Sequence, residues 1–572
     1  MRKEMKVFGL MIIGILLIVV LINMTSALYL DNGSLSQNVN DCGTLNTTNA
    51  VYTLINNVTS NSTCFTIAAN NITLDGSGYI INYSSAGTLG YGVYVSSYNF
   101  TQVKNSNIIE GYSANMYKYA IYILNSKNIT LINNSVRTMG IHCYGLYFSS
   151  SSGATIINNN ITTASGDSGY AIYVLSSSNS NISYNSVNAL SGNWDYAVRL
   201  SSSSNSFITY NNISVSGSGG EGIRLESLSN TRIDSNKVVV SGGTGLYISS
   251  ADSNIILNNN FSINSVNNAV YIYTSSFNNF SNNNATSLTG RTYNLYGTSI
   301  SHFNHTLGSD NSADGKPLNY TFNQSNLIFN NQSSTQYGQF IFAYSNNITF
   351  SNSTLAGNGL DIYGSTNMTI YNNIINCTKG YASGLYIKSG SGISANLNTL
   401  RIIRDTSHPL DFISSSGSIT NNTIYSMGSD AGYGVYFSSS SNSNISYNLI
   451  NTSGSNWQYG IYLYSSSNSN NLVGNVITTT ANGGDGIRLE SSTNNNISQN
   501  TIISSRYGFM ITGSQITGNV YDSIISASSS DIYANSGLSA GSWINLVNTT
   551  FNQSDTSINT ANFILNNSYY LD

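Results

Sequence analysis

The residues best placed to do chemistry are charged, and they are few. Arg199 and Arg224 stand about one repeat apart. Asp195 and Trp194 precede the first, and Glu221 and Glu226 bracket the second. Arg224 and Glu226 are i and i+2, so on a strand they share a face. Guanidinium groups presented in this way can clamp a uronate or sulfate bidentately, with an aromatic ring stacked on the sugar. Such a site would favour an acidic glycan and weaken with salt. A partial copy follows in Trp457, Asp485, Arg488 and Glu490, with Gln458 in place of Asp195 and Tyr462 in place of Arg199. The candidate ligand-binding residues are therefore Trp194, Arg199, Glu221, Arg224, Glu226, Trp457, Asp485, Arg488 and Glu490. The competing reading is a solvated same-face ion pair, worth about 0–1 kcal/mol.

No residue is assigned a catalytic role. A lyase would need a base and a carboxylate neutraliser at one spot, and the chain has neither a phosphate-binding Gly-Lys-Ser/Thr loop nor a Gly-x-Ser-x-Gly elbow. His302 and His305, with Asp310 and Asp314, do not have the spacing of a recognised metal site, so neither metal nor cofactor is expected. Charged residues are only 7% and the net charge is −4, which excludes a basic nucleic-acid surface.

The elements that must position these residues are repeats. A motif of small, apolar, Tyr, apolar begins at Gly92, Ala120, Gly145, Ala171, Ala197, Gly222, Gly245 and Ala269, at steps of 23–28 residues. It resumes at Gly359, Gly384, Gly434, Gly460, Gly486 and Gly508, with Pro409-Leu410-Asp411-Phe412 filling the gap. Its alternation has period 2, so each copy is a strand with apolar residues inward and Tyr outward. Arg199 and Arg224 take the outward Tyr position. The tyrosines themselves (Tyr94, Tyr122, Tyr147, Tyr173, Tyr247, Tyr271, Tyr386, Tyr436 and Tyr462) form either a strip for a glycan or partner, or a cross-strand stack that stabilises the sheet. A second ladder is read in Asn134, Asn159, Asn185, Asn211, Asn236, Asn259, Asn372, Asn398, Asn422, Asn448, Asn475 and Asn500. Amides stacked at one repeat can bond from coil to coil and satisfy a tight turn. The expected fold is all-β: a right-handed parallel β-helix of about 18–20 coils of roughly 25 residues, a rod on the order of 90 Å long.

This pattern resembles the NosD-like and pectate-lyase-like superfamily of β-helix repeat proteins, in the form found on archaeal and bacterial cell surfaces. Cys64-Phe65-Thr66-Ile67 followed by Asn71 to Gly76, and Asp314-Gly315-Lys316-Pro317-Leu318-Asn319-Tyr320, carry the resemblance alongside the asparagine ladder. It implies a fold rather than an activity, because the superfamily hosts lyases, hydrolases, epimerases, adhesins and structural proteins. The Asp-Pro-His signature of its uronate epimerases is missing.

Along the chain, residues 1–27 read as a signal peptide or a retained N-terminal anchor: Arg2, Lys3 and Lys6, then the apolar run Val7 to Ile22, then Thr25-Ser26-Ala27. An N-terminal cap and first coil (28–75), a first β-helix block (76–290), an irregular segment (291–337), a second block (338–545) and a tail (546–572) follow. The blocks are copies at an offset of 263–264 residues, seen in Asn181 and Asn444, Trp194 and Trp457, Glu221 and Asp485. Cys42 and Cys64 are the expected disulfide; Cys143 and Cys377 lie too far apart along the solenoid to pair. Asn-x-Ser/Thr triplets would be glycosylation sites in a suitable host. The functional expectation is an exported cell-surface protein with a structural, adhesive or glycan-binding role, whose partner is a polysaccharide or surface glycan. The alternative is a polysaccharide lyase or glycoside hydrolase acting on acidic glycans.

Overall fold

A computed structural model describes residues 35–552 except 113–116, 165, 191, 405–406, 429, 536–537 and 539–540, and beyond them the backbone of three short strands. The expected leader, residues 1–27, lies outside the described residues. Among those described, no helix is long and apolar enough to cross a membrane.

Each coil contributes three strands. One coil runs through Tyr119–Leu124, Thr130–Ile132 and Ser135–Thr138, and the chain then starts the next at Tyr144–Ser149. Strands at the same place on successive coils pair in parallel, for example Ile121 with Leu146 and Tyr122 with Tyr147. The strands that carry the tyrosine motif make a tyrosine sheet, and the other two make a second and a third sheet. Alternation sends Ile121, Ile123, Leu131 and Val136 into a continuous interior. The small residue that opens the motif is a packing requirement. A Cβ on Gly222 would lie 2.3 Å from Val238 Cγ1 and 2.6 Å from the carbonyl oxygen of Gly245. Among the described residues, the tyrosine and second sheets of the first block have 11 and 12 strands, and the second and third sheets of the second block have 11 and 10.

The tight turn between the second and third sheets is held by stacked asparagines. In each turn one residue is left-handed, such as Tyr210 at φ 56°, and the next, Asn211, points inward. Asn211 Nδ2 donates to Asn236 Oδ1 at 2.9 Å and to the carbonyl of Ile182 at 2.9 Å, while its own Oδ1 accepts from the N–H and Nδ2 of Asn185. The same bonds link Asn134, Asn159, Asn185, Asn211, Asn236 and Asn259, and run on to Asn283 and Asn311. In the second block they link Asn398, Asn422, Asn448, Asn475 and Asn500. Asn372 is not in this ladder. It occupies the left-handed position at φ 52°, and its neighbour Asn373 donates Nδ2 to Asn398 Oδ1 at 2.9 Å. Both turn positions favour Asn, one for its tolerance of positive φ and one for its amide, so an Asn-Asn pair is ambiguous by one residue.

The segment 291–337 is more ordered than expected. It completes the first block with Tyr293–Tyr296, Thr306–Leu307 and Ser312–Ala313, and then reverses. Asp314 and Gly315, at φ 52° and 77°, form a two-residue turn that pairs Ser312–Ala313 antiparallel with Lys316–Phe322. Every later pairing is parallel again, beginning with Leu318 against Gln339. The outward face of the second block's tyrosine sheet now crosses the open end of the first block. Outward residues Leu318, Ile341, Ala343 and Tyr363 join the first block's apolar core. The exposed edge of Tyr293–Tyr296 is closed by side-chain amides. Tyr293 N–H donates to Gln339 Oε1 at 3.0 Å, and Gln339 Nε2 donates to the Tyr293 carbonyl at 2.7 Å. The tyrosine motif fades here because its outward position is buried. The blocks meet end to side, so they do not extend one another as a single straight rod. The tail expected from residue 546 also continues the ladder: Thr550–Phe551 pairs with Ile524–Ala527, and Tyr569–Tyr570 pairs with Thr550–Phe551.

The Cys42 and Cys64 sulfurs are bonded, with their Cα atoms 4.7 Å apart. Cys143 and Cys377 are free and buried.

Asn373→Leu orphans Ser353 N–H and removes two bonds of Asn373 itself. It should cost about 1–3 kcal/mol per buried group left unpaired, read from urea unfolding. Asn372→Gly keeps the left-handed position and should stay within about 0.5 kcal/mol of the parent. Equal losses at both positions would contradict the assignment.

Candidate functional site

Register places Arg199 directly beside Arg224 on the tyrosine sheet, after Tyr94, Tyr122, Tyr147 and Tyr173 and before Tyr247 and Tyr271. The two guanidinium groups are joined by one carboxylate. Arg199 Nε and Nη2 donate to Glu226 Oε2 at 2.9 and 2.7 Å, and Arg224 Nε donates to Glu226 Oε1 at 2.7 Å. Arg224 Nη1 also donates to both oxygens of Glu221, at 2.9 and 3.0 Å. Burial works against the charge on Glu226, but Arg224 and Arg199 hold its carboxyl below the usual range. Burial dominates at Glu221 and pushes it up to about 7, against the pull of Arg224. Once Glu221 is ionised, above about pH 7, two cations face two carboxylates and the cluster is balanced from within. The forks that the expected clamp for an acidic glycan would use are engaged by Glu226 and Glu221.

The later copy has the same character. Arg488 Nη2 donates to Glu490 Oε2 at 3.1 Å, Arg488 Nη1 donates to the Tyr459 hydroxyl at 2.8 Å, and the Tyr462 hydroxyl donates to Glu490 Oε2 at 2.6 Å. Asp485 is fully buried. Its partner is Arg506, whose Nε and Nη2 donate to the two carboxylate oxygens at 2.7 Å each. Arg506 was not among the residues singled out above, because it precedes its motif rather than filling the tyrosine position. The tryptophans sit apart from the arginine pair. Trp194 and Trp457 are left-handed turn residues, 58% and 52% exposed. The Trp194 ring lies over Gly219, 3.4 Å from where a Cβ on that glycine would stand. Arg506 lies 4.7 Å from the ring centroid of Trp457. His302 and His305 serve the chain reversal: Thr298 N–H donates to His302 Nδ1 and Asn278 N–H to His305 Nδ1.

The larger feature is aromatic. The outward tyrosines form one column, with Tyr94, Tyr122, Tyr147 and Tyr173 at centroid spacings of 5.4, 5.1 and 5.3 Å. A second column runs beside it through Tyr91, Tyr119, Tyr144, Tyr170 and Tyr196, at 5.7, 4.8, 4.7 and 5.1 Å. The columns touch edge to face, as in Tyr119 against Tyr122. They end on the Arg199 guanidinium, 5.0 Å from the Tyr173 ring and 5.3 Å from the Tyr170 ring. Strict alternation hides the second column. Tyr91 and Tyr94 are an odd number apart, but Gly92 and Val93 both turn inward, so the two tyrosines emerge on one face. The recurrence of Tyr immediately before the motif, three residues ahead of its outward position, in five successive coils was the available signal. Burial raises the phenols of Tyr119 and Tyr144 above their usual range, so they remain neutral.

Asp195 immediately precedes the strand that carries Arg199, and among the described residues no cation pairs with it. Burial pushes its carboxyl up to about 7, opposed by the Gly169 N–H at 2.5 Å and reinforced by Asp167. The folded chain holds a proton that the unfolded chain releases near its ordinary value of 3.8. The stability from this group is complete below that value and is lost as pH rises to about 7. Between those limits Asp195 should remove on the order of 2–4 kcal/mol. Asp195→Asn imitates Gln458 in the second block, and it should flatten the fall by that amount in unfolding measured from pH 4 to 7. An unchanged slope would count against a protonated Asp195.

The sequence matches the family described as right handed beta helix region over residues 144–307, 196–355, 319–477 and 383–560, which overlap. No curated protein is a significant match. Among solved structures, a tailspike protein of an E. coli bacteriophage is 9% identical, with 59% of this chain and 72% of that chain covered and a TM-score of 0.34. A periplasmic alginate epimerase is 15% identical, covering 59% and 77%, with a TM-score of 0.27. A surface adhesin of Streptococcus pneumoniae is 13% identical, covering 73% and 84%, with a TM-score of 0.21. At these values the likenesses carry no functional meaning. The family match spans well over half of the sequence, and with the stacked parallel coils it makes this chain a member of the right-handed β-helix family.

Proposed function

We propose that this is an exported surface protein that binds polysaccharide, without cleaving it, along the tyrosine sheet of its first block. The observation that carries the reading is the double tyrosine column. It offers phenol groups at a repeat of about one coil, roughly 4.8 Å, comparable with the length of one pyranose residue in an extended polymer. A polymer laid along the axis would meet the same edge-on ring and hydroxyl at each sugar. Phenols held neutral both donate and accept, which suits sugar hydroxyls. The Cys42–Cys64 disulfide suits an oxidising compartment and agrees with the leader read at residues 1–27. The internal balance of Arg199, Arg224, Glu221 and Glu226 favours a neutral polymer over an acidic one, and it leaves no uncommitted base for a lyase at this cluster. The ion-pair cluster then acts as the end stop of the aromatic strip.

Titration of neutral and acidic polysaccharides by calorimetry or affinity electrophoresis tests the reading. A neutral polymer should bind, and Tyr144→Ala with Tyr147→Ala should weaken it by about tenfold or more. Raising the salt should change the affinity by no more than about twofold, because no net charge is engaged. Binding only of acidic polymers, lost in high salt, would return the site to the arginines. Release of unsaturated or reducing ends would make the protein an enzyme and overturn the reading.

A further inference from the structure

The junction of the blocks encloses a cleft that neither block has alone. Tyr271, Asn294 and Tyr296 line it from the last coils of the first block, and Tyr386, Asp411 and Tyr436 line it from the second. These are outward positions on both sides, brought face to face because one sheet crosses the end of the other block. The cavity measures about 270 Å³.

Two buried charged residues in its wall are incompletely satisfied. Asp411 is 6% exposed. Its Oδ2 accepts the Ser383 hydroxyl, and its Oδ1 has no partner. Arg291 is 5% exposed and stacks 4.4 Å from the Tyr386 ring centroid. Its Nη1 reaches Asp361 Oδ1 at 3.3 Å and the Tyr363 hydroxyl at 3.4 Å, its Nη2 reaches Ser383 Oγ at 3.5 Å, and its Nε has no partner. Buried polar groups are rarely left in this state unless something supplies the missing bonds. An acceptor and a donor in one wall ask for a group that does both.

We propose that this cleft is a second binding site, separate from the tyrosine columns, and that it takes one neutral sugar residue. A sugar hydroxyl can donate to Asp411 Oδ1 and accept from Arg291 Nε, while the ring's apolar face lies against the tyrosine walls. Competing ligands are disfavoured by the same residues. A uronate would bring its carboxylate towards Asp411. An organic cation would meet two cations already stacked on tyrosines of the wall, Arg291 over Tyr386 and Lys388 at 3.4 Å from the ring centroid of Tyr296. Arg291 is already countered by Asp361, which Gln339 also holds through a hydrogen bond of 2.9 Å. His408, the other titratable group of the wall, accepts the Tyr433 N–H on Nδ1 at 3.0 Å, and burial keeps it neutral. The size suits a single pyranose rather than a polymer laid lengthwise. The natural occupant is then the terminal residue of a glycan or a free sugar, and the two are told apart by whether a chain blocked at its non-reducing end still binds.

Saturation-transfer NMR on the full chain with glucose, galactose, mannose and glucuronate tests this. At least one neutral hexose should show transfer, and glucuronate should bind at least about tenfold more weakly. Asp411→Leu should abolish the signal, and Asp411→Asn and Tyr436→Ala should each weaken it by about tenfold. These two milder variants decide the matter if the leucine variant does not fold. The Tyr144→Ala, Tyr147→Ala variant should keep the hexose signal, which separates this site from the polymer-binding surface. No neutral hexose bound by the parent, equal binding in Asp411→Asn and Tyr436→Ala at unchanged melting temperature, or preference for glucuronate would each overturn the proposal.

Discussion

Everything in this molecule depends on one hydrogen-bond pattern, the amide of one turn asparagine bonded to the amide of the next. A β-strand of three or four residues has too few ladder bonds to choose its own register. The stacked asparagines choose it, because Oδ1 of each must meet both the N–H and the Nδ2 of its neighbour on the preceding coil. A slip by one residue would break the stack and turn every inward side chain outward. Fixed register is also what converts a recurring tyrosine into a column. The aromatic surface and the ion-pair cluster are both consequences of a turn on the far side of the coil.

The same fixed stacking creates a problem at each end, where a strand edge and a disc of apolar core face solvent. The protein solves one of these ends with its own second half. The two-residue Asp314-Gly315 turn reverses the chain, and a sheet face crosses the opening. Ile341 and Tyr363 fill the core, and the Gln339 amide answers both the N–H and the carbonyl of Tyr293. Tyrosine is replaced on this face by Ile, Asp and Gln because the face is no longer a surface. That substitution also leaves Arg291 and Asp411 beside a cavity rather than in water.

What the sequence revealed was whatever repeats. The coil length, the inward and outward positions, the tyrosine column and the asparagine stack all recur, so each was legible without a structure. Asn372 was misplaced for Asn373 because both positions of that turn favour the same residue for different reasons. The second tyrosine column was missed because the coil turns two consecutive residues inward at Gly92-Val93, which breaks the period the eye follows. The charge balance at Arg199 and Arg224 was half visible: the acids were read, but not that Glu226 bridges both guanidinium groups. Nothing local pointed to the block junction, whose contacts join Arg291 to Asp361 and Tyr293 to Gln339 across tens of residues and occur once. One sign was present nonetheless: Asp361 and Asp411 stand where the pattern calls for Tyr, as Arg199 and Arg224 do.

The tyrosine columns also have an optical consequence. Phenol rings held about 5 Å apart and nearly parallel over five coils are close enough for their electronic transitions to couple. Light absorbed by one ring is then shared along the stack in a direction set by the handedness of the coil. The near-ultraviolet dichroism of this protein becomes a readout of register itself, sensitive to one displaced coil even where the secondary-structure content does not change.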